Sequence, residues 1–150
     1  EIVFGDWSSD VCSSDLENNP RCFFIKSMLN NDLLIGVVGV CASGKSTLIS
    51  GLTREGFRCR HIAQEHSYVS DMWRLLTKPD ILIFLEVSYE KTLERKPLNW
   101  TRDEYEIQLQ RLQHAFEQAD IHINTNPLTP AELVTTALNE IHKLESIRKR

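Results

Sequence analysis

The strongest chemical signal in this chain is the run Gly39-Val40-Cys41-Ala42-Ser43-Gly44-Lys45-Ser46, which fits the spacing G-x-x-x-x-G-K-[ST] and is followed by Thr47. Glycine at those places lets a backbone bend closely around phosphate oxygens, and successive N–H groups then face the anion. A helix starting at Lys45 would add the positive end of its dipole. Lys45 is placed to reach the β and γ phosphates of a nucleotide, and the Ser46 hydroxyl to ligate Mg2+. The alternative, a glycine turn with a solvated lysine, fits poorly with the context: an apolar run precedes the motif and a helical pattern follows it.

A second group of candidates begins at Gln64-Glu65-His66-Ser67. It follows an expected strand, at the sheet end where sites of open α/β folds lie. A carboxylate there can take the proton of an acceptor hydroxyl or hold a Mg2+-bound water. Glu65 is read in that role, against a plain surface glutamate. His66 could bind acceptor or phosphate, although a lone histidine reads first as structural. Glu86 ends an apolar strand as a metal-holding acid would, and is read as structural. His61, His114, His122 and His142 share no metal-ligand spacing, and neither do the cysteines at 12, 22, 41 and 59. Trp100 reads as packing locally, Trp73 with Met72 as core, and Arg111 as part of a solvated helix face.

The elements that must position these groups alternate between strand and helix. Residues 33–39 and 80–87 are short apolar runs bounded by polar residues, as expected of buried parallel strands. Residues 57–63 form a possible second strand, and Ile121 and Ile123 alternate in a last one. Helices are expected over 45–55, stopped at Gly56, and over 70–76, with Met72, Trp73, Leu75 and Leu76 as the apolar face. Another runs from Ser88, its cap, to about Arg95. After a loop at 96–102, a long amphipathic helix carries Tyr105, Leu109, Leu112 and Phe116. Thr129-Pro130-Ala131-Glu132 is a capping box with proline at the first helical position. It opens a final helix striped by Leu133, Ala137, Leu138, Ile141 and Leu144. This order implies right-handed crossovers. The expected fold is α/β: three layers, with a short, mostly parallel sheet of about four strands, the first one central, and helices on both faces.

With the motif and the element order in place, residues 33–144 resemble the P-loop kinases of the nucleoside, nucleotide and shikimate kinase group. The resemblance rests on the 39–46 loop, on Asp80-Ile81-Leu82-Ile83-Phe84-Leu85-Glu86-Val87 running to Leu93-Glu94-Arg95, and on Ala119-Asp120-Ile121-His122-Ile123-Asn124-Thr125. It implies a P-loop NTPase fold, ATP as phosphoryl donor, Mg2+ as cofactor and a small-molecule acceptor. In such kinases an arginine after the central strand and helix opens a lid over the phosphates. Arg95 occupies that place here, with Lys96 and Arg102 as further lid candidates. The resemblance makes Lys45, Glu65 and Arg95 the catalytic set, and Ser46 and Glu65 the Mg2+-binding set. The lid and the acceptor-binding insert are shorter than in typical members. A nucleotide-binding regulatory or mechanical NTPase without an acceptor is the alternative.

Domain organisation is simple. Asp6 to Leu16 reads DWSSDVCSSDL, with Ser8-Ser9-Asp10 echoed at Ser13-Ser14-Asp15. It resembles the conceptual translation of a short-read sequencing adapter, the alternative being a natural polar tail. Residues 1–27 are therefore set apart as non-native or disordered, Met28 reads as the start, and 28–150 form one domain. A formal net charge of −4 argues against a dedicated nucleic-acid binder, which usually carries a basic surplus. Thr77-Lys78-Pro79-Asp80 imitates a guanine-reading pattern, but it precedes a strand where such a motif should follow one. No apolar run is long enough to span a bilayer, and the expected setting is cytoplasmic with reduced thiols.

Overall fold

The computed structural model describes residues 33–97 and 99–150; the 1–27 segment lies outside them. Four strands form one parallel sheet in the order β2-β1-β3-β4. They are β1 (Leu34–Gly39), β2 (Arg58–His61), β3 (Ile81–Glu86) and β4 (Ile121–Asn124). The helices are α1 (Lys45–Arg54), α2 (Met72–Leu76), α3 (Tyr89–Arg95), α4 (Arg102–Gln118) and α5 (Pro130–Arg148), and a 3-10 turn spans Gln64–His66. The chain is thus an α/β protein with β1 inside the sheet, and the pairing is parallel throughout.

Strand periodicity sorts the core into two layers. Ile35, Val37, Ile81, Ile83, Leu85, Ile121 and Ile123 face α1 and α5, meeting Leu48, Leu52, Leu133, Ala137 and Ile141. Val38, Leu82 and Phe84 point the other way, against Ile62, Trp73, Leu112 and Ala115. Successive side chains of a strand alternate faces, so β1 and β3 are apolar at nearly every position because both faces are covered. Each fully buried Leu or Ile contributes about 1.5–3 kcal/mol. Leu48 and Leu52 are completely buried, and that fixes the rotation of α1. Lys45 precedes Leu48 by three residues and so lies on the same buried face.

Elements end where the chain says they should. Gly56 sits in the left-handed region at φ 93° behind α1. Ser88 caps α3 through the Lys91 N–H at 3.3 Å, and both Thr101 and Thr129 make full capping boxes. The expectation for 70–76 needs correction. The helix begins at Met72, and only Trp73 of its apolar residues is buried, with Leu75 and Leu76 58% and 76% exposed. A helix of little more than one turn offers a single residue to the core. Along α4, Leu112 is buried as expected, whereas Leu109 and Phe116 are partly exposed and Gln108 is buried in their stead.

The N-terminal end of the sheet is pinned by two aspartates. Asp80 accepts from the Leu34 N–H at 2.7 Å, and Asp120 from the Leu82 N–H at 2.8 Å. Thr77 to Asp80 therefore lies at the end of the sheet opposite the 39–46 loop, with Asp80 in a structural role. Strand β2 is mostly exposed at Arg58, Arg60 and His61.

Candidate functional site

The 39–46 loop leaves the C-terminal end of β1 and turns into α1. Gly39 is there for space: a Cβ would come within 2.6 Å of Ser43 Oγ and 2.8 Å of the Leu85 carbonyl. Gly44 adopts φ 100°, and Ala42 holds the left-handed region at φ 61°. A left-handed non-glycine residue costs free energy and tends to mark functional backbone. Ser43 is fully buried and its hydroxyl finds no hydrogen-bond partner among the described residues. Cys41 presents its N–H to Gln108 Oε1 at 3.0 Å, which ties the loop to α4.

Lys45 folds back beneath the loop. Its ammonium donates to the Gly39 carbonyl at 2.5 Å and the Val40 carbonyl at 3.0 Å, and pairs with Glu65 Oε1 at 2.7 Å. Its three donors are therefore all engaged. Both side chains are almost wholly buried, 6% and 3% exposed. Glu65 Oε2 is buried without a hydrogen-bond partner.

Glu65 is delivered to that position by its neighbour. Gln64 is fully buried and knits three segments together. Its Oε1 accepts from the Trp73 N–H at 2.9 Å, and its Nε2 donates to the carbonyls of Val69 and Arg111 at 2.8 and 3.2 Å. Arg111 in turn donates to the Glu65 carbonyl at 3.3 Å. The 3-10 turn is thus clamped between α2 and α4.

Arg95 reaches the loop from the end of α3. Its guanidinium donates to the carbonyls of Ala42 and Ser43 at 3.4 and 3.5 Å, to Thr125 Oγ1 at 2.8 Å and to the Thr125 carbonyl. Burial lowers its pKa. Partial desolvation of the otherwise exposed ring, followed by the Lys45 charge, also lowers that of His61.

The remaining candidates are dispersed. Ser46 is exposed at the start of α1, and Thr47 is half-buried behind it. Lys96 is exposed at the end of α3. Arg102 opens α4 instead of closing the preceding loop, and it pairs with Glu90 and Glu106 at 3.2 and 3.7 Å, with Tyr89 beneath it. Those contacts hold it on the α3–α4 surface. Glu86 is half exposed and faces His122 at 3.5 Å. Trp100 packs on Tyr89 and Tyr105. His114 accepts from Trp73 Nε1 at 3.1 Å.

Three participants escaped sequence reasoning. Gln108 and Thr125 meet the loop and Arg95 across 67 and 30 positions, and polar residues inside helical or strand patterns give no local sign of that. The third is Cys41 as a neighbour of His66, with Sγ and Nε2 3.7 Å apart. The one signal that Cys41 and His66 share is that they follow the adjacent parallel strands β1 and β2.

A cleft of about 370 Å³ opens beside Val40 at the C-terminal ends of β3 and β4, bordered by Glu86, Tyr105, Phe116, Asn124 and Asn126. A broader hollow of about 680 Å³ runs along the outer face of α5, between Thr136 and Ile147. Of the predicted site residues Val40 borders the first cleft, and none of Lys45, Ser46, Glu65 and Arg95 lines either. Among the described residues no helix is long and apolar enough to cross a membrane. Comparison with protein-family models, with curated proteins and with solved structures finds no match for this chain.

Proposed function

We propose that this protein is a P-loop kinase, moving the γ-phosphoryl group of Mg·ATP to a small-molecule acceptor. The observation that carries the reading is the buried Lys45–Glu65 pair beneath the 39–46 loop. The loop's sequence predicts a phosphate-seeking lysine, and a buried carboxylate paired with it supports a role for Glu65 toward an acceptor.

The residues present fit a polyphosphate with Mg2+. The loop has a glycine where a side chain cannot fit, and a left-handed glycine at the mouth of α1. Ser46 stands exposed at that mouth as an oxygen ligand for the metal. Bound there, Mg2+ supplies charge neutralisation on the transferring group. Lys45 then exchanges the Gly39 and Val40 carbonyls for phosphate oxygens. Glu65, released from the ammonium, accepts the proton of the acceptor hydroxyl through its carboxylate. Arg95, already against the loop carbonyls, adds positive charge on the side facing Thr125.

One observation favours a second reading, a regulatory or mechanical NTPase without an acceptor. Arg95 is held by Thr125 and the loop, whereas a lid arginine has to move.

Binding and turnover separate the possibilities. Mg·ATP affinity should fall in Lys45→Ala by about 2–3 kcal/mol, the scale of a charge-assisted phosphate contact. Unchanged affinity defeats the whole reading. ATP consumption that depends on a supplied acceptor identifies a kinase, and consumption indifferent to a panel of hydroxyl acceptors identifies the NTPase.

A further inference from the structure

We propose that Cys41, Glu65 and His66 form a binding site for Zn2+ at the rim of the 39–46 loop. The inference rests on side-chain geometry and goes beyond the nucleotide reading. Cys41 Sγ, a Glu65 carboxylate oxygen and a ring nitrogen of His66 all lie within 4.8 Å of one another. Cys41 Sγ to His66 Nε2 is 3.7 Å, and His66 Nε2 to Glu65 Oε1 is 3.9 Å. Around a tetrahedral zinc with bonds of about 2.0–2.3 Å, neighbouring ligand atoms stand roughly 3.3–3.6 Å apart. The cluster therefore needs to contract by an ångström or so at most.

The donor set selects the metal. A thiolate, an imidazole and a carboxylate suit Zn2+, whereas Mg2+ takes oxygen ligands and keeps its waters. The Cys41 thiolate brings a full negative charge to the dication, while the Glu65 carboxylate shares its own with Lys45.

An independent observation points to an unfilled role at Glu65. Its side chain is 3% exposed, Oε1 is engaged by Lys45, and Oε2 is buried with no hydrogen-bond partner. Oε1 is the oxygen that faces His66, so a cation there would share it with the Lys45 ammonium, and the unpartnered Oε2 leaves the carboxylate free to turn its second oxygen to the metal. A nucleophilic triad does not explain the same cluster, because the one His66 nitrogen, Nε2, faces both the thiol and the carboxylate. A proton relay through the ring needs one partner on each nitrogen.

The site is reachable. The His66 side chain is 59% exposed, so a cation enters from solvent, and three protein ligands leave a fourth position for water. On binding, the Cys41 thiol loses its proton to solvent and the sulfur forms the metal bond. Zinc held this way ties the phosphate loop to the turn after β2.

The test uses the full chain, reduced and stripped of metal, in a variant carrying Cys12→Ser, Cys22→Ser and Cys59→Ser so that Cys41 is the remaining thiol. Zn2+ alone is titrated against a chromophoric chelator, and Co2+ is then substituted as a spectroscopic probe. The expected result is one Zn2+ per chain and a sulfur-to-cobalt charge-transfer band. Adding Cys41→Ser should abolish the band. His66→Gln should weaken Zn2+ by about 100-fold or more, since even outer-shell partners are worth 10–100-fold. Absence of stoichiometric Zn2+, a cobalt complex without the thiolate band, or unchanged affinity in His66→Gln in a variant whose melting curve matches its parent overturns the proposal. ATP binding measured separately in Mg2+ and free of zinc reports on the kinase reading, so either idea can fail alone.

Discussion

Replacing Glu65 by glutamine keeps the outline of the side chain and removes its charge. Lys45 would then be a 6%-exposed ammonium with two backbone carbonyls and an amide oxygen as neighbours. Breaking a buried ion pair by removing one partner costs about 3–5 kcal/mol. Here Lys45 keeps its bonds to Gly39 and Val40, and glutamine still offers an acceptor, so the expected loss is nearer 2–3 kcal/mol on the scale of one charged hydrogen bond. For a domain of this size that lowers the melting temperature by roughly 8–12 °C. Nucleotide affinity should move the other way or not at all, because the lysine no longer leaves a carboxylate in order to meet phosphate. Phosphoryl transfer should fall by about 10²–10⁴, the usual scale for losing a general base. The assays are thermal denaturation of the ligand-free variant, calorimetric titration with Mg·ATP, and single-turnover transfer. A variant with the wild-type melting temperature and the wild-type transfer rate would refute the assignment of Glu65.

Two further outcomes follow from packing and charge. Gly51 of α1 faces Val134 of α5, where an added Cβ would come within 2.3 Å of Val134 Cγ2. Gly51→Ala should destabilise by about 1–3 kcal/mol by overpacking, and Val134→Ala in the same chain should restore part of that in a denaturant melt. His61 is largely solvent-exposed, yet partial desolvation of its ring, and then the Lys45 charge, hold its pKa below its ordinary 6.5. The folded state thus resists its protonation, so stability present above pH 6.5 declines as pH falls through the lowered value. His61→Gln should flatten that part of a stability-versus-pH curve.

The strand–loop–helix arrangement around residues 39–46 was legible because its signal is local: the strand before the loop, the glycines within it and the helix after it are contiguous in the chain. Strands β1 and β3 were legible for a related reason, since burial on both faces leaves an unbroken apolar run. Leu75 and Leu76 misled because an apolar pair in a helical window does not reveal that the helix is too short to turn them inward. Gln64, Gln108 and Thr125 were unreadable in their actual roles. Each is a polar residue whose partners lie on other elements, and only the crossovers of a parallel sheet bring them together. Arg95 was singled out by its place after β3 and α3, but its contact with Thr125 depends on β4 lying beside β3.

Strand β2 forms one margin of the described sheet, with β1 on its inner side. An open margin displays unpaired N–H and C=O groups, and a second strand can pair there and seed aggregation. This margin carries Arg58 and Arg60, both exposed. Two copies meeting edge to edge would bring guanidinium groups against guanidinium groups, and like charges directly opposite one another oppose pairing. The flank beside the Glu65 turn is therefore guarded against self-association by its own sequence. A strand that did add there would have to bring acids with it.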